Sequence, residues 1–142
     1  MKTLKSMILS VGAVALWGAS GLYAQTKATA NIPFEFTVQK TTLPAGEYTM
    51  STASGSHEVM LIRNVETGKS ILTLAATAES GYRRTQDKNV IVFHHIGDRY
   101  FLAEVRTDAV CGSVSPSKLE RELASNGGSG VAAVIVPALS VR

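Results

Sequence analysis

Two apolar segments, Asn89–Ile96 and Arg99–Thr107, are separated by Gly97-Asp98 alone, and no other stretch of the chain constrains its fold as tightly. A two-residue connection between extended segments needs positive φ, which glycine supplies, and such a turn fixes the register of the strands it joins. Ile96 should then face Arg99, His95 should face Tyr100, and so on outward. One face carries Val90, Val92 and His94 against Val105, Ala103 and Phe101. The other carries Ile91, Phe93 and His95 against Glu104, Leu102 and Tyr100. Both faces are substantially apolar, so the hairpin is expected to be central and covered on both sides.

The remaining segments read as further short strands and one helix. Ile32, Phe34, Phe36 and Val38 alternate with Pro33, Glu35, Thr37 and Gln39, the period of a half-buried strand, with Pro33 at its start or on an edge. Leu43-Pro44-Ala45-Gly46 fits a type I turn and leads into a strand at Glu47–Thr52, with Tyr48 and Met50 inward. Val59–Asn64 and Ser70–Ala78 form a hairpin around the glycine-containing loop 65–69, and residues 79–89 form a longer polar loop. A short helix is expected over about 116–125, with Ser115 as N-cap, Pro116 in the first helical position, and Leu119 and Leu123 as its docking stripe. A glycine-rich linker at 126–130 precedes Val131–Val136, a continuous apolar run that reads as a buried last strand. The fold class is therefore mainly β, a small antiparallel sandwich or partly open barrel with one short C-terminal helix, built as a single domain over residues 25–142.

Residues 1–24 read as a signal peptide. Lys2 and Lys5 form a positive start, Met7 to Trp17 is apolar, and small residues lead to a cut after Ala24, although Leu22 is bulky for its position. The run falls short of the roughly 20 apolar residues that span a bilayer, which leaves an uncleaved anchor as the alternative. Export to the periplasm or the extracellular space follows, with no membrane span after cleavage. Loss of Lys2 and Lys5 removes most of the formal net charge of +3. Among the remaining basic residues only Arg83, Arg84 and Lys88 cluster, and Asp87 interrupts them. A nucleic-acid partner requires a sustained basic face, so none is expected. An outer-membrane barrel is also disfavoured, because eight spanning strands of about ten residues would use nearly all of residues 25–142.

Catalytic chemistry has little to stand on. His94 and His95 are neighbours on a strand and point to opposite faces, so they cannot share a metal, and His57 lies in a separate polar loop. Cys111, the one cysteine, has no cationic neighbour to lower its pKa and is expected in a loop. There is no Gly-x-Ser-x-Gly elbow, and Gly127-Gly128-Ser129-Gly130 is not followed by Lys or a helix. The expectation is a protein with no catalytic residue, no metal and no cofactor. The aromatic residues suggest a candidate ligand pocket of Phe34, Phe36, Tyr48, Phe93, His95 and Tyr100. The one tryptophan, Trp17, lies in the leader, so the preferred ring for stacking sugars is missing from residues 25–142.

Ile32-Pro33-Phe34-Glu35-Phe36-Thr37-Val38, followed by Leu43-Pro44-Ala45-Gly46-Glu47-Tyr48, forms a recognisable pattern with Phe93 to Val105 and with Ser117 to Ala124. In these segments the chain resembles the short exported β-rich proteins abundant in soil acidobacteria. The resemblance implies a β fold and an address outside the cytoplasm, and it assigns no catalytic or binding residue. Two functions remain in view. The first is a non-enzymatic structural or protein-interaction module of the cell envelope, which requires an exposed apolar patch or an open sheet edge near Pro33 or the last strand. The second is a periplasmic β-barrel that binds a small apolar ligand among the aromatic residues named above.

Overall fold

The computed structural model describes residues 26–53, 58–76, 89–127 and 130–141. The leader, His57 and the basic cluster at 83–88 lie outside them. The first six strands are β1 (Lys27–Ile32), β2 (Phe36–Val38), β3 (Thr41–Leu43), β4 (Gly46–Thr52), β5 (Val59–Asn64) and β6 (Ser70–Ala76). They are followed by β7 (Val90–Ile96), β8 (Arg99–Arg106), β9 (Cys111–Val114), the helix α1 (Lys118–Asn126), β10 (Ala132–Pro137) and β11 (Leu139–Val141). The chain is mainly β, as its periodicity predicts, and its sheet does not close.

The hairpin of β7 and β8 forms around Gly97, whose φ of 61° suits a primed turn. Ile96↔Arg99, His95↔Tyr100, His94↔Phe101 and Phe93↔Leu102 pair as the turn dictates. Beyond Phe93 the register slips by one residue, so Val92 faces Glu104 and Ile91 faces Val105. The expected strict register would have pointed Glu104 inward opposite Ile91. The bulge turns it outward, where Arg106 donates to both its carboxylate oxygens at 2.7 and 2.8 Å, and brings Val105 fully inside. Both faces of the hairpin are covered. Phe93 and Leu102 join the main core, while Val92 and Phe101 are buried on the face that carries His94.

Two strands change partners along their length. Residues 70–74 of β6 pair with β5, but Ala75 and Ala76 pair with β9. At the other end of the sheet β10 pairs with β7, and β11, one residue later, pairs with β1. Ala138 makes that joint. Its N–H donates to the carbonyl of Asn89 at 2.8 Å, and the Ser140 hydroxyl donates to Asn89 Oδ1 at 2.9 Å. Asn89 itself sits at φ 63°, a conformation asparagine tolerates better than most residues. These two bending strands join a half made of β1, β4, β5 and β11 to a half made of β7, β8, β9 and β10. The core fills the space between, with Ala28, Ile32, Met50, Met60 and Ile62 from one half against Ile91, Phe93, Leu102 and Val105 from the other.

Several expectations need correction. The alternating run from Ile32 is not one strand: β1 ends before Pro33, and β2 begins at Phe36. Pro33 has no N–H for a ladder, so the break falls where its backbone requires. The Val131–Val136 run is not buried. Among the described strands β10 lies at the end of the order, beside β7 alone, and on it only Val136 is fully covered. The helix starts later than expected, with Ser117 as N-cap and its Oγ accepting from the Glu120 N–H at 3.1 Å. Pro116 keeps Ser115 extended, and the Ser-x-x-Glu spacing makes Ser117 the better cap. Leu119 is exposed and Leu123 only half-buried, so the leucine stripe does not anchor the helix. Cys111 lies in β9, with its side chain exposed, rather than in a loop.

Candidate functional site

The six residues of the expected ligand pocket divide into two groups. Phe36, Tyr48 and Phe93 are fully buried and pack edge to face, with ring centroids 5.1 Å apart for Phe36–Tyr48 and 5.3 Å for Phe36–Phe93. The Tyr48 hydroxyl is satisfied within the fold, donating to the Pro44 carbonyl at 2.6 Å and so tying down the turn before β4. These three rings fill the interior and offer no surface to a ligand.

Phe34, His95 and Tyr100 come together on the outside. Tyr100 stacks on Phe34 at 3.9 Å and on His95 at 4.3 Å, with interplanar angles of 17° and 11°. Two nearly parallel rings at such distances must take opposite faces of Tyr100. The result is a three-ring stack in the order Phe34, Tyr100, His95, with Phe34 also meeting Phe93 edge to face at 5.1 Å. Phe34 lies in the break between β1 and β2, and β2 runs beside β8 with Thr37 facing Phe101. That pairing sets the break against the tip of the β7–β8 hairpin and leaves an open cleft of about 520 Å³ between them. Phe34, Glu35, Thr37, Thr42, Asp98, Arg99 and Tyr100 line it. The polar members escape a reading of sequence because each, taken alone, is an ordinary outward residue of a strand or turn.

A second polar feature fixes the helix. His94 Nδ1–H donates to Glu120 Oε1 at 2.7 Å, and Glu120 is the one buried residue of α1. In a capping box the third-position carboxylate bonds back to the cap N–H. Here it reaches across to β7 instead, so the helix is held by a polar clamp rather than by leucines. Glu120→Ala should cost about 1 kcal/mol, the net worth of the hydrogen bond, because the partly exposed His94 can turn to water instead. Hydrogen exchange is the direct check: amides 121–125 should lose protection, while those of β4 and β5 keep theirs. Unchanged exchange in the helix would show that the clamp does not hold it.

A third feature is the outer face of β1, β4, β5, β6 and β11. Leu72 and Leu74 stand 64% and 65% exposed, cross-strand from Leu61 and Val59. Across the same face Leu139 and Val141 are 73% and 53% exposed beside Thr29 and Lys27. On β6 the inward positions go to Thr73 and Ala75, and the Thr73 hydroxyl is buried without a hydrogen-bond partner among the described residues. The strand thus turns its leucines to solvent and a polar atom to the core. The alternation of Leu72 and Leu74 with Thr73 and Ala75 is present in the sequence, but either face reads as acceptable there.

His94 and His95 do point to opposite faces, one to Glu120 and the other to Tyr100. Among the described residues no group of three His, Cys, Asp or Glu side chains is placed to hold a metal ion. No helix among them is long and apolar enough to cross a membrane. Comparison with protein-family models, with curated proteins and with solved structures finds no match to this chain.

Proposed function

We propose that the protein is an exported, non-enzymatic β-module of the cell envelope, periplasmic or extracellular, that docks a protein or envelope partner. The observation that carries this reading is the apolar patch of Leu72 and Leu74 on β6 beside Leu61 and Val59 on β5, with Leu139 and Val141 forming a second exposed pair at the opposite margin of the same face. Exposed apolar side chains grouped on one face favour association, whereas single ones are ordinary. A rigid support for such a face is supplied by reading the scaffold as a partly open barrel, whose two partner-changing strands brace the sheet at both margins. An interaction module is preferred to a barrel for an apolar ligand because Phe36, Tyr48 and Phe93 occupy the interior themselves. The test is photo-crosslinking in the host's envelope with the reactive residue at position 74 and, as control, at position 66 in the β5–β6 loop. A discrete high-mass adduct at 74 and none at 66 supports the reading. No adduct at 74, or equal labelling at both, overturns it.

A further inference from the structure

We propose that the cleft between the β1–β2 break and the tip of the β7–β8 hairpin is a carbohydrate-binding site, taking a sugar ring of a glycan against the Phe34–Tyr100 side. The site is independent of the docking face proposed above and shares no residue with it.

The cleft holds unused bonding capacity. Glu35, Asp98, Arg99 and the Tyr100 hydroxyl have no hydrogen-bond or ion-pair partner among the described residues. They nevertheless converge on one cleft. Thr37 and Thr42 share a hydrogen bond of 3.3 Å between their hydroxyls, which leaves each with capacity to spare. The cleft therefore offers two carboxylate acceptors, one forked donor and three hydroxyls that can both donate and accept.

The mixture of signs narrows the ligand class. An anion drawn to Arg99 would meet the Glu35 and Asp98 carboxylates, and a cation drawn to them would meet the guanidinium. A neutral ligand dense in hydroxyls satisfies all three without bringing an unpaired charge into the site. Adjacent sugar hydroxyls suit planar, two-pronged groups such as carboxylate and guanidinium. Beside them the edges of Phe34 and Tyr100 border the cleft, since Phe34 and His95 take both faces of Tyr100, and these edges supply a strip of apolar surface at its wall. The stack holds these edges rigid, and contact at a ring edge needs no tryptophan. A volume of about 520 Å³ lies in the range of small-molecule sites. Its open form suits one unit of a longer chain.

The geometry also defines what should matter for affinity. Glu35 and Arg99 are exposed and hold nothing else in the fold, so replacing either alters the cleft and leaves the core alone. The experiment is a titration of the 15N-labelled full chain, followed by amide shifts, with cellotetraose, chitotetraose and maltotetraose as probes. Free arginine and free glutamate serve as charged controls. The expected result is saturable shifts at Thr37, Thr42, Arg99 and Tyr100 with at least one oligosaccharide, weakened about tenfold or more in Glu35→Ala and in Arg99→Ala. Melting curves of both variants should match the parent, which separates lost binding from lost structure. The proposal is overturned if none of the three sugars shifts the cleft, if the shifts survive both substitutions, or if a charged control saturates the cleft while the sugars do not.

Discussion

Phe93→Ala lowers the stability of the fold by about 3–5 kcal/mol, the cost of emptying a fully buried ring site in a core that collapses only partly. Phe93 has no exposed surface, and its ring meets both Phe34 and Phe36 edge to face. It also stands opposite Leu102 on β8 and Val134 on β10, so the cavity would open where three strands meet. The melting temperature should fall by about 15 °C or more, and the urea midpoint should fall with it. The effect reaches the surface as well, because Phe34 rests on Phe93 and Tyr100 rests on Phe34. Broadened signals of Tyr100 in the variant would report that link. A loss of less than about 1 kcal/mol would show that the core is not centred on this ring.

Gly112→Ala is the second large effect, and its cause is contact rather than torsion. A Cβ at Gly112 would lie 2.9 Å from the Ala75 Cβ and 3.2 Å from the Ala76 carbonyl oxygen. One of these neighbours is backbone and the other a short, rigid stub, so neither can swing aside. The clash falls where β6 leaves β5 and joins β9, one of the two corners of the sheet. We expect a loss of about 1–3 kcal/mol, the usual range for overpacking. Ala75→Gly in the same chain removes the closer contact and should restore part of the loss. A double-mutant cycle with a coupling of about 1 kcal/mol or more would confirm the contact, and simple additivity would refute it.

The parts of the fold legible in the sequence are those set by local chemistry. Gly97-Asp98 dictates its hairpin because few backbones other than a primed turn join two strands through two residues. The β5–β6 hairpin is legible from its glycine-containing loop 65–69, where Gly68 takes a φ of 69°, while the Asn64 side-chain oxygen that accepts from the N–H groups of Glu66 and Thr67 at 2.9 and 2.8 Å is seen only in the structure. What the sequence hides depends on distant partners. The slip beyond Phe93 follows from where Glu104 finds solvent and Arg106, which no local pattern around Ala103 announces. β10 lies at the end of the described strand order with most of its side chains exposed, whereas Val131–Val136 alone reads as buried. The short segments β3, β9 and β11 hold only three or four residues each, too few for a period to register.

The candidate site divides in the same way. The half-buried Phe34 and Tyr100 and their neighbour His95 are visible as aromatic residues on facing segments. Tyr48 is expected inward from its own strand, but that Phe36 enters the core while Phe34 stays half-buried depends on the break at Pro33. Glu35 and Arg99 become neighbours of one cleft because β2 lies parallel to β8, a pairing of residues far apart in the chain.

The joint at Ala138 also sets the order in which this molecule can assemble. Lys27 pairs with Val141 and Val90 with Pro137, so the earliest and latest described strands complete the same sheet. A chain made from its N-terminus can form the β4–β5–β6 meander and the β7–β8 hairpin early, since both are local. The exposed sides of β1 and β7 stay bare until residues 132–141 arrive, and bare strand edges invite pairing with other chains. Long-range closure of this kind is slow. The last ten residues of the sheet thus act as a timing element: their arrival covers the β1 and β7 edges together and leaves β10 and β11 as the margins of the finished sheet.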